Sequence, residues 1–160
     1  MESITILSNS LEDTTKIAEE IAPFLQIGDA VIFEGNLGAG KTHFVKYLSA
    51  ALGYTGLVNS PTYTIAAVYE MADRKILHID GYRLTSLSEF VDLGLDIYFS
   101  ESIALIEWGD EFEEEFEDFL KIKLQYETAE MSRKIIISYV GERFKKDFAT
   151  IKNRVKKFNK

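Results

Sequence analysis

Within the stretch EGNLGAGKTH, at 34–43, Gly35, Gly40, Lys41 and Thr42 occupy the fixed places of the pattern GxxxxGK[ST]. Each residue type answers a requirement of holding a polyphosphate. Glycines at 35, 38 and 40 remove the Cβ obstruction, so that consecutive backbone amides can turn toward one anion. A helix that starts directly after the loop adds its unpaired N–H groups and the positive end of its dipole. The Lys41 ammonium is placed to reach the β and γ phosphates, and the Thr42 hydroxyl is a ligand for Mg²⁺. The competing reading is a glycine turn that binds nothing. The apolar run DAVIFE before the loop and the helical pattern KTHFVKYLSAALG after it supply the strand–loop–helix order that the phosphate reading requires.

A magnesium–phosphate site needs further oxygen ligands, and the ion keeps few protein ones. Two carboxylates close apolar strand candidates: Asp80 ends KILHID and Glu107 ends SIALIE. Either could be no more than a solvated strand-end charge. Spacing alone leaves open which would touch a metal and which would position a water molecule. The absence of cysteine removes disulfides, thiolate metal sites and cysteine nucleophiles. The two histidines, His43 and His78, are read as structural.

The nucleotide and the reaction are narrowed by missing features. No [NT]KxD guanine-reading motif occurs, which points to adenine, hence ATP. Arg74, Arg83, Arg133, Arg143 and Arg154 are scattered rather than gathered in a lid. That favours hydrolysis or a conformational ATP cycle over phosphoryl transfer to a metabolite. A small-molecule kinase and a non-catalytic nucleotide-dependent binding module remain the alternatives.

These residues need a scaffold, and the apolar periodicity outlines one. Residues 10–26 carry Leu11, Thr14, Ile17, Ala18, Ile21, Ala22 and Leu25 at helical intervals, with Ser10 and Asp13 as a capping pair and Pro23 as a bend or end. TYTIAAVYEMADRKILHID reads as a hairpin turning at MADRK, and SLSEFVDLG as a short helix. SIALIEW, FLKIKLQYE and RKIIISYV are three further strands, the last two an antiparallel pair. The predicted fold is a P-loop NTPase-like α/β three-layer sandwich, with a mixed, mainly parallel central sheet and antiparallel additions.

At 160 residues, 46% hydrophobic and 28% charged, the chain suits one globular domain. No apolar run approaches the roughly 20 residues of a membrane helix. The start MESITILSNSLEDTTK lacks a basic segment followed by an apolar core, so a cytoplasmic location is expected. The net charge of −8 is uneven. From Arg143 onward eight Lys/Arg face the single Asp147, giving +7 there and −15 on residues 1–142. An acidic body argues against broad nucleic-acid binding by the domain itself.

The segments GNLGAGKT (35–42), SPTYT (60–64), HIDGYR (78–83) and LIEW (105–108) together resemble, in order and spacing, the bacterial TsaE family over about residues 8–140. This family comprises the small ATPases of tRNA threonylcarbamoyladenosine biosynthesis. The resemblance implies an ATP site formed by Leu37, Gly38, Ala39, Gly40, Lys41 and Thr42. Glu107 is implied to share the metal with Thr42, and Asp80 to be catalytic or water-orienting. It further implies that Thr62 senses the γ phosphate, that Arg133 packs on the adenine and that the base lies near Leu11. The implied partners are TsaB and TsaD, the latter the subunit that transfers the threonylcarbamoyl group to the adenosine beside the anticodon. ATP binding and hydrolysis would reset that complex. Two positions depart from the family pattern: Gly81 stands where leucine is usual, and His43 where a second threonine follows KT.

Two segments lie outside this transfer. In DEFEEEFED, 110–118, seven of nine residues are acidic, which reads as a solvated face or as a docking surface for a basic partner. At the C-terminus Phe144, Phe148, Ile151, Val155 and Phe158 form one helical stripe flanked by lysines. The expected organisation is an ATPase domain over 1–142 with a basic amphipathic helix over 143–160, packed on it or appended. That helix either packs on the core or presents its basic face to tRNA or an acidic partner.

Overall fold

The computed structural model describes residues 1–61 and 63–159. Seven strands form one sheet: β1 (Ser3–Ser8), β2 (Ala30–Glu34), β3 (Ala66–Glu70), β4 (Lys75–Asp80), β5 (Ser102–Glu107), β6 (Phe119–Tyr126) and β7 (Arg133–Val140), in the spatial order β1-β7-β6-β2-β5-β4-β3. The four strands β6, β2, β5 and β4 run parallel, while β3 pairs antiparallel at one edge and β7 and β1 at the other. The helices are α1 (Leu11–Ile21), α2 (Lys41–Ala51), α3 (Leu87–Asp92) and α4 (Lys145–Val155).

Burial explains why the parallel strands read as continuous apolar runs. β2 is covered on both faces, with Val31 and Phe33 facing α1, α2 and α4, and Ala30 and Ile32 facing the opposite layer. That opposite layer consists of α3 and 3₁₀ segments, which contribute Leu84, Phe90, Phe99 and Phe116. Three layers result, as the sequence predicts.

The first helix is shorter than its apolar pattern, because Pro23 lies in a 3₁₀ turn, Ala22–Phe24, that ends it. Its N-terminus is closed by Ser10 Oγ, which accepts from Asp13 N at 3.1 Å, while an Asp13 carboxylate oxygen accepts from Asn9 N at 3.0 Å.

Strand β1 is absent from the sequence reading, and its composition explains why. Its burial alternates, with Ile4, Ile6 and Ser8 turned inward, but the exposed Leu7 beside Ile6 blurs the apolar alternation of SITILS. Its free edge is occupied by Asn159, whose amide nitrogen donates to Thr5 O at 2.8 Å and whose carbonyl accepts from Leu7 N at 3.0 Å.

The C-terminal stripe lies in the main core: Phe144, Phe148, Ile151 and Val155 are fully buried with residues of α1 and β7. Much of its basic face meets carboxylates of the same chain. Lys152 pairs with Glu2 at 2.7 Å, Arg154 with Glu20 at 3.7 Å, and Lys157 also with Glu20. Arg143 forks onto Asp29, Nε to Oδ1 at 2.9 Å and Nη2 to Oδ2 at 2.8 Å, and also donates to Phe24 O and Asp147. The acidic run at 110–118 overlaps a 3₁₀ helix, Gly109–Glu115, in which Glu113 accepts from Lys121 Nζ at 2.5 Å. Among the described residues no helix is long and apolar enough to cross a membrane.

Candidate functional site

The parallel strands all end at one edge, and open α/β sheets bind ligands beyond the carboxyl ends of such strands. Here β2 runs into the glycine loop. Gly35, Gly38 and Gly40 have φ of 154°, 78° and 108°. Gly38 and Gly40 lie well inside the region that side chains avoid. A Cβ at Gly35 would stand 2.6 Å from Leu124 O, so close approach of β6 also demands glycine there. Tyr126 supports the loop from outside by donating its hydroxyl to Leu37 O at 2.9 Å.

Lys41 opens α2 and turns back across the loop, donating to Gly35 O at 2.5 Å and Asn36 O at 3.0 Å. Its ammonium also lies 3.9 Å from the centroid of the Trp108 ring. Burial pushes the Lys41 pKa below its ordinary value, against the opposing pull of Glu107, Asp80 and Asp110. Trp108 itself has φ 59°, a left-handed turn that ends β5 and brings the indole back over the lysine.

Sheet register sets the carboxylates side by side. Asp80 and Glu107 are Cα partners at the ends of adjacent parallel strands, and both are buried. Thr42 Oγ1 donates to Glu107 Oε1 at 2.7 Å, joining the first turn of α2 to the end of β5. Asp80 accepts from Tyr82 N at 3.0 Å on Oδ1 and from Ser60 Oγ at 3.3 Å on Oδ2. The second Glu107 oxygen is bound from behind by His78 Nε2 at 2.6 Å, and His78 Nδ1 meets the Tyr69 hydroxyl at 2.8 Å. His78 is fully buried. Burial pushes the Tyr69 phenol up to about 12.

A cavity of about 600 Å³ opens over these groups. Leu11, Leu37, Gly38, Ala39, Gly40, Lys41, Thr42, Asp80, Glu107 and Arg133 all border it. Thr62 lies outside the described residues. Arg133, at the start of β7, donates through Nε to Ala39 O at 3.0 Å and through Nη1 to Glu130 O and Ser132 O. Its guanidinium stacks 4.8 Å from the Tyr126 ring centroid, so Arg133 braces the glycine loop as well as facing the cavity. His43 is exposed at the cavity rim, edge-on to Tyr47 at 6.5 Å.

The donor chemistry fits a nucleotide with a hard divalent cation. Thr42 and Glu107 present oxygens of the kind Mg²⁺ takes, beside a loop of inward-turned glycines. Among the described residues no group of three or more His, Asp or Glu could hold a metal by itself. Any ion at Thr42 and Glu107 would therefore complete its shell with water or phosphate oxygens, the usual habit of Mg²⁺.

Sequence reasoning did not place His78 or Tyr69 in this site. The usable signal was strand alternation: Ile76, His78 and Asp80 fall on one face of β4, the face turned toward α2.

Residues 8–135 match the family model described as "Threonylcarbamoyl adenosine biosynthesis protein TsaE". The tRNA threonylcarbamoyladenosine biosynthesis protein TsaE of Bacillus subtilis is 40% identical over 135 residues, covering 83% of this chain and 84% of the relative. The protein of that name from Streptomyces coelicolor is 38% identical over 136 residues, covering 81% of this chain and 92% of the relative. The crystal structure of Bacillus subtilis YdiB superposes with a TM-score of 0.78 at 30% identity, covering 95% of both chains.

Proposed function

The chain belongs to the TsaE family of tRNA threonylcarbamoyladenosine biosynthesis proteins, and we propose that its part in that modification is played as a Mg²⁺-dependent ATPase. The observation that carries this reading is the Thr42–Glu107 contact of 2.7 Å at the end of a glycine loop, with Asp80 as register neighbour of Glu107.

The loop amides from Gly38 to Thr42 and the N-terminus of α2 bind the phosphate oxygens. Lys41 leaves its loop carbonyls for the terminal phosphates, its charge kept from water by the Trp108 ring. Thr42 and Glu107 would hold Mg²⁺, which when bound would supply positive charge against the phosphate oxygens. Asp80 faces the same cavity with its carboxylate oriented by Tyr82 N and Ser60. It orients a water molecule and takes its proton. Leu11 and Arg133 flank the part of the cavity assigned to the adenine. Thr62 is assigned to sensing the γ phosphate on the strength of the family pattern alone.

The partner is a TsaB–TsaD complex in the cytoplasm, which ATP binding and hydrolysis reset between rounds of threonylcarbamoyl transfer. An acidic body suits a subunit that leaves most of the tRNA contact to others. We assign the C-terminal helix to packing rather than RNA, since Lys152, Arg154 and Lys157 are paired within the chain.

The test is ATP hydrolysis by the purified protein with and without the two-subunit complex. Weak hydrolysis that rises on adding the complex is expected. Robust phosphorylation of a metabolite without partners would overturn the assignment in favour of a kinase.

A further inference from the structure

We propose that Tyr69 and His78 are positioning residues that fix the Glu107 carboxylate so that one of its oxygens is presented to Thr42 and the metal. The inference rests on the ATP·Mg²⁺ reading above and concerns how that site is held in shape.

Three neighbouring strands supply the chain of contacts. Tyr69 on β3, His78 on β4 and Glu107 on β5 project to the same side of the sheet, where Tyr69 and His78 meet at 2.8 Å and His78 and Glu107 at 2.6 Å. All three are buried, at 6%, 0% and 3% relative exposure, so water does not compete for these bonds. Tyr69 is itself held by a stacked Tyr54, ring centroids 4.7 Å apart.

The proton positions follow from the order of the groups. A separation of 2.6 Å between an imidazole nitrogen and a carboxylate oxygen requires a proton between them, so Nε2 carries one. In a neutral ring Nδ1 is then an acceptor, and the Tyr69 hydroxyl, 2.8 Å from it and 3.4 Å from its other acceptor Asn59 O, is assigned to donate to the nearer nitrogen. Tyr69 thereby selects the tautomer that lets His78 donate to Glu107. With Oε2 occupied from behind, Oε1 is the oxygen left toward Thr42, 2.7 Å from its hydroxyl. Glutamate has three rotatable side-chain bonds, and ordering it before the ion arrives reduces the entropy that metal binding must overcome. Outer partners of this kind typically contribute about 10–100-fold in metal affinity.

The experiment uses the full chain with Tyr69→Phe, His78→Asn and His78→Gln. Mn²⁺ affinity of the ATP-bound protein is read from the free-ion electron paramagnetic resonance signal, ATP affinity is measured separately in EDTA, and thermal unfolding confirms folding. Tyr69→Phe keeps the ring and its stacking, so it carries the test even where a His78 variant folds poorly. Expected is a Mn²⁺ affinity about tenfold or more weaker in Tyr69→Phe and His78→Asn, with metal-free ATP affinity unchanged. His78→Gln, whose amide N–H can stand where Nε2–H stood, recovers most of the loss. Unchanged Mn²⁺ affinity in folded Tyr69→Phe overturns the inference while the ATP reading survives. Failure of the unaltered protein to bind ATP at all overturns the ATP reading and this inference with it.

Discussion

Asp80 and Glu107 sit opposite one another at the ends of adjacent parallel strands, yet their carboxylates are held by different kinds of partner. Glu107 bridges a hydroxyl on α2 and a buried imidazole, whereas Asp80 is oriented by a backbone amide and the Ser60 hydroxyl. Two acids at one level of the sheet thus have different surroundings, in keeping with the separate duties proposed for them, metal holding for Glu107 and water activation for Asp80.

Glu107→Ala is expected to lower Mg²⁺-dependent hydrolysis by roughly a hundredfold or more. Asp80→Asn should lose turnover to a similar extent while binding Mg²⁺·ATP nearly as well as the parent. Titrating Mg²⁺ into steady-state assays of both variants separates the duties. Normal hydrolysis by Glu107→Ala would move the metal to Asp80.

Lys41→Ala should weaken ATP binding by about 10–100-fold, the range for a lost hydrogen bond to a charged group. Calorimetric titration with a non-hydrolysable ATP analogue reads this directly. Equal affinity in parent and variant would remove Lys41 from the phosphate site.

Tyr69 gives a pH signature. Its folded-state pKa of about 12 exceeds the ordinary 10.0, so the native state keeps a proton that the unfolded chain loses. Its contribution is complete below pH 10 and disappears as pH rises toward 12. Chemical denaturation across that window should show the parent losing roughly 2–3 kcal/mol relative to Tyr69→Phe, the order of magnitude for such a shift. Parallel pH curves for the two proteins would refute the raised phenol pKa.

Arg143→Ala should destabilise the fold by about 3 kcal/mol or more, because it strands the Asp29 carboxylate, only 5% exposed, without its bidentate partner. Arg143 is held above its ordinary pKa because Asp29 and Asp147 outweigh the opposing effect of burial. ATP affinity should not change, since neither residue borders the cavity. A drop in ATP affinity with stability intact would place the basic C-terminal region in function rather than packing.

What was legible in the sequence was local. The glycine loop, its lysine and threonine, and the two strand-end acids are each announced by neighbours within a few residues, as are the hairpins β3–β4 and β6–β7. The contacts that set the site depend on sheet register and were not legible. His78 meets Glu107 across 29 positions, and Arg133 meets Ala39 across 94. The pairing of Arg143 is not legible either, because its partner Asp29 lies 114 residues away. β1 is not legible because Leu7, on the exposed face of an edge strand, breaks the apolar–polar alternation of its six residues.

Asn159 acts, through one side-chain amide, as the missing neighbour of β1, satisfying both Thr5 O and Leu7 N. An open strand edge is a template for recruiting another chain, and this one is closed by a residue that follows the last helical turn. Loosening α4, which would take Phe148 and Ile151 from the core, is therefore expected to release Asn159 and uncover this edge as well. Resistance to self-association is thereby tied to the stability of a segment at the far end of the sheet from the strands that bear Asp80 and Glu107.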